Sequence, residues 1–142
     1  MKYLLDTDHI SFLQLPASPE YRNLAARMAR HSLADFAFCV VSFHEQVIGA
    51  HSLITRAKNP AEILRGYNLL QEILRGFTVA PVLPFDASAI LIFAQMQGRR
   101  LRVPTMDLRI ASIAQCRNLI VLSRNTADFG KVPGLVVQDW TN

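Results

Sequence analysis

Short, wholly apolar runs alternate along this chain with longer segments of helical periodicity. The clearest run, FAFCVV at residues 36–41, has the length of a strand and contains no polar residue. Such strands are typical of parallel sheets, because helices cover both faces of those sheets. The alternation continues along the chain and predicts an α/β fold, with helices on both sides of a mostly parallel, four- to five-stranded central sheet.

Local patterns predict the individual elements. The strands are expected at residues 2–6, 36–41, 78–83, 119–122 and 135–137. The helices are expected at residues 10–14, 20–31, 42–56, 60–76, 86–98 and 105–117. Pro81 has no backbone N–H to donate, so it indicates an edge position for the third strand. Asn59 and Asp86 are typical helix caps, because their side chains accept a hydrogen bond from the first helical turn.

The segment 60–76 and the residue after it carry apolar side chains at helical spacing. This spacing places them on one face of the helix. The residues of this face are Ile63, Tyr67, Leu70, Leu74 and Phe77. We expect the face in the core by default, although it could also contact a second copy of the chain or a partner protein.

Composition limits the class of protein. With 142 residues, 51% of them hydrophobic, the chain predicts a single domain over residues 1–142 and is too apolar to be disordered. No apolar stretch approaches the roughly 18 residues that a membrane span needs, and a strand at the very start leaves no room for a signal peptide. Cys39 and Cys116 lack the spacing of disulfides or zinc sites, so we expect a cytoplasmic protein.

The charge of the chain points to anionic partners. Lysine and arginine total 15 against 11 acidic residues, which gives a net charge of +4. Arginine is the more frequent of the two basic residues, and its planar guanidinium binds two phosphate oxygens at once. A basic surface alone is equally compatible with a protein that binds no specific partner, so the charge needs support from motifs.

Four acidic residues stand at or near the predicted strand ends. Asp6 closes the first strand, and Glu45 lies one helical turn past the second. Asp107 lies in the first turn of a helix, and Asp128 follows the fourth strand by six residues. Ligands bind at the carboxyl ends of parallel strands, so we expect these four carboxylates at one edge of the sheet.

Three of these acids also have a plain structural explanation. Ser42 and Glu45 have the spacing of a capping box, in which the glutamate reaches back to the helix N-terminus. Asp107 could simply stabilise a helix N-terminus, which is worth about 0.3–1 kcal/mol. Asn125 and Asp128 could cap a short turn.

Asp6 is the hardest of the four to explain structurally. A carboxylate at the end of a buried strand is costly unless it is hydrogen-bonded, paired or bound to a metal. Carboxylates that converge repel one another, so they take up protons or hold a cation. Oxygen ligands without a Cys or His partner favour Mg²⁺ or Mn²⁺ over Zn²⁺.

The residues around these acids resemble the motifs of PIN domains, in particular those of VapC-type ribonuclease toxins. The opening LLDTDHIS at residues 4–11 is similar to the first motif of that family. The other matching segments are VSFHE at 41–45, TMDLRIASIA at 105–114, NTADF at 125–129 and VVQDW at 136–140. The similarity runs from residue 3 to residue 140. Asp8 departs from the pattern, because asparagine is frequent there in the family.

The resemblance implies a three-layer α/β/α fold and a metal-dependent endoribonuclease. One or two Mg²⁺ or Mn²⁺ ions would lie on Asp6 and Asp107, with Glu45 and Asp128 as direct or water-mediated ligands. The metal would activate a water for attack on an RNA phosphodiester, with no protein nucleophile. The resemblance also implies the toxin of a type II toxin–antitoxin pair, a small antitoxin that covers the site, and a homodimer.

Other polar residues near the motifs have weaker claims to function. His9 and His44 lie close in sequence to two of the acids, but a lone histidine is more often structural. Thr105 and Asn125 could position water or ligands, although helix capping is the more usual role of such residues.

Arg99, Arg100 and Arg102 form a basic cluster a few residues before Asp107. We expect this cluster to contact the RNA phosphate backbone beside the metal, because phosphate contacts supply most of the affinity for nucleic acids. The alternative is a solvated loop.

Two other functions compete with the nuclease. Asp6 and Asp8 also resemble the nucleophile and acid of haloacid-dehalogenase-like phosphatases, but no lysine is well placed and no adjacent acid pair follows strand four. A non-catalytic PIN-fold binding module is the second, and the presence of all four acids argues against it. The glycine-rich loop of a dinucleotide-binding domain is missing after the first strand.

Overall fold

A computed structural model describes residues 1–142 and contains one five-stranded parallel sheet. The strands are β1 Tyr3–Leu5, β2 Phe36–Cys39, β3 Val82–Leu83, β4 Ile120–Leu122 and β5 Val137–Gln138. Their order along the sheet is β3-β2-β1-β4-β5, and every pair of neighbouring strands is parallel. All five predicted strands are therefore confirmed, and β3 lies at an edge as Pro81 indicates.

Seven α-helices connect the strands. They are α1 Thr7–Leu13, α2 Pro19–Met28, α3 Val40–Thr55, α4 Pro60–Gly76, α5 Ala87–Gly98, α6 Thr105–Cys116 and α7 Thr126–Phe129. A single 3₁₀ turn at Leu33–Asp35 leads into β2. The predicted caps are confirmed for α4 and α5, where Asn59 and Asp86 accept hydrogen bonds from Glu62 N and Ala89 N. No helix has the length and hydrophobicity that crossing a membrane would require.

The strands are apolar on both sides because each side packs against a different layer of helices. In β1, Leu4 belongs to a core shared with α5 and α6, whereas Leu5 belongs to a core shared with α1 and α2. The same alternation holds in β4, where Val121 faces the first core and Leu122 the second. The predicted three-layer α/β/α arrangement is confirmed.

Two predicted boundaries were wrong at the end of the second strand. The apolar run continues to residue 41, but β2 stops at Cys39 and α3 begins at Val40. The valines are apolar in either conformation, because Val41 contributes to the core from the first turn of the helix. Periodicity could not distinguish a longer strand from the first turn of a buried helix.

The predicted core face of α4 was also wrong for most of its residues. Ile63, Tyr67 and Leu74 are 44%, 55% and 59% exposed. The helix packs instead on α3 through Gly66, where an added methyl group would lie 2.6 Å from Ile54 Cγ1. Because glycine draws the two helices together, the pair forms a hairpin whose outer apolar face remains uncovered.

Candidate active site

Asp6 lies where β1 ends and α1 begins, and it is only 5% exposed. Its Oδ1 accepts a hydrogen bond from Thr7 N at 2.7 Å, which caps α1. Its Oδ2 accepts from the Ser123 hydroxyl at 2.6 Å, directly after β4. The two central strands of the sheet therefore deliver a buried carboxylate and its hydrogen-bond donor to the same place.

Burial, together with repulsion by Asp8 and by Asp107, raises the pKa of Asp6 from 3.8 to about 7. The hydrogen bonds from Ser123 and Thr7 lower this pKa but do not offset the burial. Desolvation and like charges disfavour the ionised form of a carboxylate, and a cation placed beside it reverses both effects. Asp6 is therefore the acid with most to gain from a metal ion.

Glu45 comes from α3, and its charge acts on Asp107. Its Oε1 accepts a hydrogen bond from Thr7 Oγ1 at 2.7 Å. The capping-box interpretation of Ser42 and Glu45 was wrong, because α3 starts two residues earlier and its N-cap, Cys39, has no side-chain cap. Glu45 is consequently one turn inside the helix, and its carboxylate contacts Thr7 instead of the helix N-terminus.

Asn125 connects the other two acids. Its Nδ2 donates to Asp107 Oδ2 at 2.9 Å and to Asp128 Oδ2 at 3.0 Å. Its Oδ1 accepts from Asp128 N at 3.4 Å and caps α7. The capping role predicted for this residue is confirmed, and the same side chain also orients two carboxylates.

Asp107 and Asp128 have opposite electrostatic environments. Burial raises the pKa of Asp107, and the nearby charges of Glu45, Asp128 and Asp8 raise it further. The hydrogen bond from Asn125, together with the ammonium of Lys131, lowers the pKa of Asp128. Lys131 Nζ lies 2.9 Å from Asp128 Oδ1. Asp128 thus already has a cationic partner, whereas Asp107 has a neutral donor and repelling neighbours.

The structure brings the four predicted acids together. The nearby charge of Asp107 raises the pKa of Asp6, and the nearby charges of Glu45 and Asp128 raise the pKa of Asp107. We refer to Asp6, Glu45, Asp107 and Asp128 as the acidic pocket. It lies at the carboxyl ends of β1 and β4, the edge of the sheet at which the sequence predicts it.

The donor chemistry of the acidic pocket fits a hard divalent ion held partly by water. No three His, Cys, Asp or Glu side chains are close enough together to hold one ion, so the pocket is not a closed cage. Mg²⁺ commonly takes one or two carboxylates and keeps several waters. Asp6 and Asp107 could supply such a pair, since both pKa values are raised by burial and by neighbouring charges.

Three residues that position the acids were not singled out from the sequence. Thr7 holds Glu45, Ser123 holds Asp6, and Lys131 pairs with Asp128. Ser123 directly follows β4, so the strand-end rule that selected Asp6 could have found it. Lys131 stands three residues after Asp128, a spacing that brings oppositely charged side chains together on one helical turn.

Thr105 does not cap α6, contrary to the prediction. The N-cap is Pro104, and Thr105 is the exposed first residue of the helix. Thr105 also makes no hydrogen bond to the acidic pocket, and its role in positioning water or ligands stays a prediction.

The basic cluster forms an exposed loop between α5 and α6. Arg99 is the C-cap of α5, and Arg100 and Arg102 have φ angles of 52° and 57°. This left-handed conformation is unfavourable for a residue with a Cβ atom. Lys131 Nζ donates to Arg102 O at 3.3 Å as well as to Asp128, and so connects the loop to the acidic pocket.

No protein-family model matches the chain, but two curated relatives match it almost from end to end. The "tRNA(fMet)-specific endonuclease VapC" of Shigella flexneri is 28% identical over 148 residues, covering 99% of each chain. Its namesake from Salmonella typhimurium (strain LT2) is 25% identical over 147 residues, covering 99% of this chain and 98% of its own.

A solved structure supplies the comparison of folds. VapBC-1 from nontypeable Haemophilus influenzae superimposes with a TM-score of 0.78 at 20% sequence identity, covering 100% of both chains. At this identity the match concerns the fold alone, and it includes every element described above. Sequence and fold together therefore confirm the chain's resemblance to the VapC-type PIN-domain proteins.

Proposed function

We propose that this chain is a metal-dependent endoribonuclease and the toxin of a type II toxin–antitoxin pair. The observation that carries the proposal is the acidic pocket, in which Asp6 and Asp107 have raised pKa values and no cationic partner. The nuclease class predicted from the sequence is confirmed by the relatives, which are named as endonucleases. A phosphatase that uses Asp6 as a nucleophile has no support among them.

Asp6 and Asp107 would hold the ion, with Glu45 and Asp128 contacting it through water. Mg²⁺ is the ion we propose, and Mn²⁺ has the same preference for oxygen ligands. When bound, such an ion lowers the pKa of a coordinated water and offsets charge on the phosphate. The protein's own contribution is orientation, because Thr7 and Asn125 fix the carboxylates before the substrate arrives.

RNA is the proposed substrate, and Arg99, Arg100 and Arg102 are the proposed contacts to its phosphates. All three side chains are exposed, and their loop is connected to the acidic pocket through Lys131. Electrostatic contacts of this kind are independent of base sequence. Because the curated relatives are named for tRNA(fMet), an initiator tRNA is the first substrate to test.

A small antitoxin is the proposed protein partner, and the chain is proposed to form a homodimer. The structural neighbour with the same fold is a VapBC assembly. The exposed apolar residues Ile63, Tyr67 and Leu74 of α4 offer a surface for one of these contacts. Both an antitoxin and an RNA substrate would be met in the cytoplasm, which is the compartment we propose.

Cleavage of RNA by purified protein tests the proposal. The wild type should cut initiator tRNA with Mg²⁺ and should stop when EDTA is added. Asp6→Asn and Asp107→Asn should be inactive with Mg²⁺ present, whereas Asp86→Asn, a helix cap outside the pocket, should cut normally. Equal cleavage by all four proteins would overturn the proposal.

A growth experiment tests the toxin role separately. Induction of the wild-type chain alone should slow growth, and induction of Asp6→Asn at the same protein level should not. A wild-type protein that cuts RNA in vitro but leaves growth unchanged would retain the nuclease and exclude the toxin.

A further inference from the structure

His9 is completely buried beside the acidic pocket, and all of its polar contacts are defined. Its Nδ1 lies 2.7 Å from Asp8 Oδ1, and its Nε2 accepts the backbone N–H of Trp140 at 3.1 Å. One imidazole ring therefore connects the first helix to the last residues of the chain. The proposed reaction uses neither His9 nor Asp8, so their arrangement needs a separate explanation.

The hydrogen bonds determine which nitrogen of His9 carries the proton. A backbone N–H can only donate, so Nε2 must be the acceptor, and the proton on Nδ1 is donated to Asp8. Asp139 Oδ1 lies 3.8 Å from Nε2. This oxygen is already occupied by Thr141, whose N and Oγ1 donate to it at 2.8 Å and 2.6 Å.

Asp8 continues the connection toward the pocket. Its Oδ2 accepts from Arg124 N at 2.9 Å and lies 3.3 Å from Ser123 Oγ. Ser123 has one hydroxyl proton, and its contact of 2.6 Å to Asp6 is the shorter of the two. Asp8 therefore joins α1 to residues 123–125, the loop between β4 and α7, rather than pointing a free carboxylate at an ion.

The loop 123–125, to which Asp8 is hydrogen-bonded, also orients the acids of the pocket. Asn125 N donates to Ser123 Oγ at 2.9 Å, which fixes the hydroxyl that holds Asp6. The Asn125 side chain in turn holds Asp107 and Asp128. A displacement of this loop would move donors away from both acids proposed to hold the metal.

The far end of the connection lies in an aromatic cluster. The ring of Trp140 packs against those of Tyr3 and His31, with centroid distances of 4.7 Å and 5.4 Å, and those two rings also contact each other. The guanidinium of Arg27 lies 5.0 Å from the centre of the Trp140 ring. The N–H that His9 accepts is consequently held in place by an aromatic cluster on β1 and its neighbours.

We infer that Asp8 and His9 are positioning residues, which fix the loop 123–125 to the anchored C-terminal segment and so orient Asp6 and Asp107. The inference rests on the proposed nuclease function. Asp8 needs both of its oxygens as acceptors, one for His9 and one for Arg124 N. Asparagine has a single acceptor oxygen, so Asp8→Asn loses one of these contacts at nearly unchanged shape.

The test uses the full-length chain and four variants: Asp8→Asn, His9→Phe, the double variant, and His44→Phe as a control. His44 is the other histidine near the motifs, and it is exposed. Proton-coupled ¹⁵N spectra of histidine-labelled wild type should show His9 protonated at Nδ1 and bare at Nε2. In Asp8→Asn the same tautomer should remain, because Trp140 N still donates to Nε2. The amide has only one acceptor oxygen, so the hydrogen bond of either His9 Nδ1–H or Arg124 N should be lost.

Cleavage kinetics are measured well below each variant's melting temperature, with circular dichroism confirming the fold. Asp8→Asn and His9→Phe should each lower kcat by about 10-fold, the loss typical of groups that orient metal ligands, with KM for RNA unchanged. The double variant should be no worse than the worse single variant, because both changes break the same connection. His44→Phe should match the wild type.

Three outcomes would overturn the inference. The first is a wild-type spectrum with the proton on Nε2. The second is a melting temperature that falls while kcat stays at the wild-type value, since that describes a purely structural role. The third is a rise in KM alone. Failure of the proposed function has a different appearance: the wild type itself would not cut RNA, while the spectrum of His9 would still report its tautomer.

Discussion

Asp6 and Asp128 belong to the same pocket, yet their surroundings shift their pKa values in opposite directions. Asp6 is buried, has only neutral donors, and has a pKa raised by desolvation to about 7. Asp128 is more exposed, bonds to Asn125 and Lys131, and has a lowered pKa. One side of the pocket therefore lacks a positive charge, and the other side already contains one.

This difference assigns separate tasks to the two sides. The β1 side, with Asp6 and Asp107, is the place where a divalent ion relieves the most repulsion. The α7 side, with Asp128 and Lys131, is close to electrically balanced and is better suited to holding the basic loop near the pocket. Four acids in one pocket thus do not imply four equivalent metal ligands.

The largest expected effect is on catalysis. Asp6→Asn should lower the rate of RNA cleavage by more than about 100-fold, beyond the loss typical of an outer-shell residue. Asp128→Asn should lower it by about 10-fold or less, because that carboxylate is already paired. Single-turnover cleavage at saturating Mg²⁺ measures both. Equal losses would show that the two sides of the pocket are not distinct.

The next effect is on stability as a function of pH in EDTA. The folded pKa of Asp6 lies above the unfolded value of 3.8, so the native state binds the proton more tightly. The resulting stabilisation is complete below about pH 4 and is lost as the pH rises toward 7. Urea titrations should show the free energy of unfolding falling by on the order of 3–4 kcal/mol across this range.

Asp6→Asn should flatten this dependence. Asp128→Asn should not, because a carboxylate with a lowered pKa changes the free energy of unfolding only below about pH 4. Asp107 contributes a slope of the same sign as Asp6, so some dependence should remain in Asp6→Asn. A wild-type protein that becomes more stable between pH 4 and 7 would contradict the electrostatic picture of the β1 side.

A smaller effect is expected for Lys131→Met. Removing the ammonium frees the Asp128 carboxylate and makes the pocket more negative. The Mg²⁺ concentration that gives half-maximal cleavage should therefore fall by about 3-fold, consistent with the modest strength of exposed ion pairs. Lys58→Met removes an exposed charge elsewhere and serves as the control. A higher Mg²⁺ requirement would show that Lys131 assists the metal side directly.

The smallest effect concerns the basic loop. Glycine accepts the left-handed conformation of residue 102, so Arg102→Gly removes the guanidinium without straining the loop. RNA binding should weaken by about 2- to 3-fold. The slope of log affinity against log salt concentration should become smaller by the contribution of one phosphate contact. Arg56→Gln, an exposed arginine at the end of α3, should leave both quantities unchanged.

Much of the fold and of the pocket could be predicted from the sequence, for identifiable reasons. Fully apolar runs mark strands covered on both faces, and parallel strands bring their carboxyl ends together. The sequence alone therefore assigns Asp6 to a shared edge of the sheet. The end of β2 could not, because Val40 and Val41 suit either a strand or a buried helix turn.

The hydrogen bonds within the pocket were less predictable, because they depend on loop conformation. Asn125 was expected to be a cap or to position water or ligands, and its contacts to Asp107 and Asp128 appear only when α7 is in place. Which side chains of α4 are buried depends on Gly66, where the helix approaches α3 closely. With this packing, Ile63, Tyr67 and Leu74 remain exposed. Helical spacing identifies a common face, but it does not say which neighbour covers that face.

The order of the residues that build the pocket has a consequence during protein synthesis. Asp6 and Glu45 leave the ribosome early, but Asp107, Ser123 and Asn125 belong to the last third of the chain. The buried histidine that follows Asp6 takes its contact from Trp140, which is synthesised later still. A growing chain therefore carries only half of the pocket until residues 107–125 have been made. A ribonuclease built in this order would stay harmless to its own message up to that point.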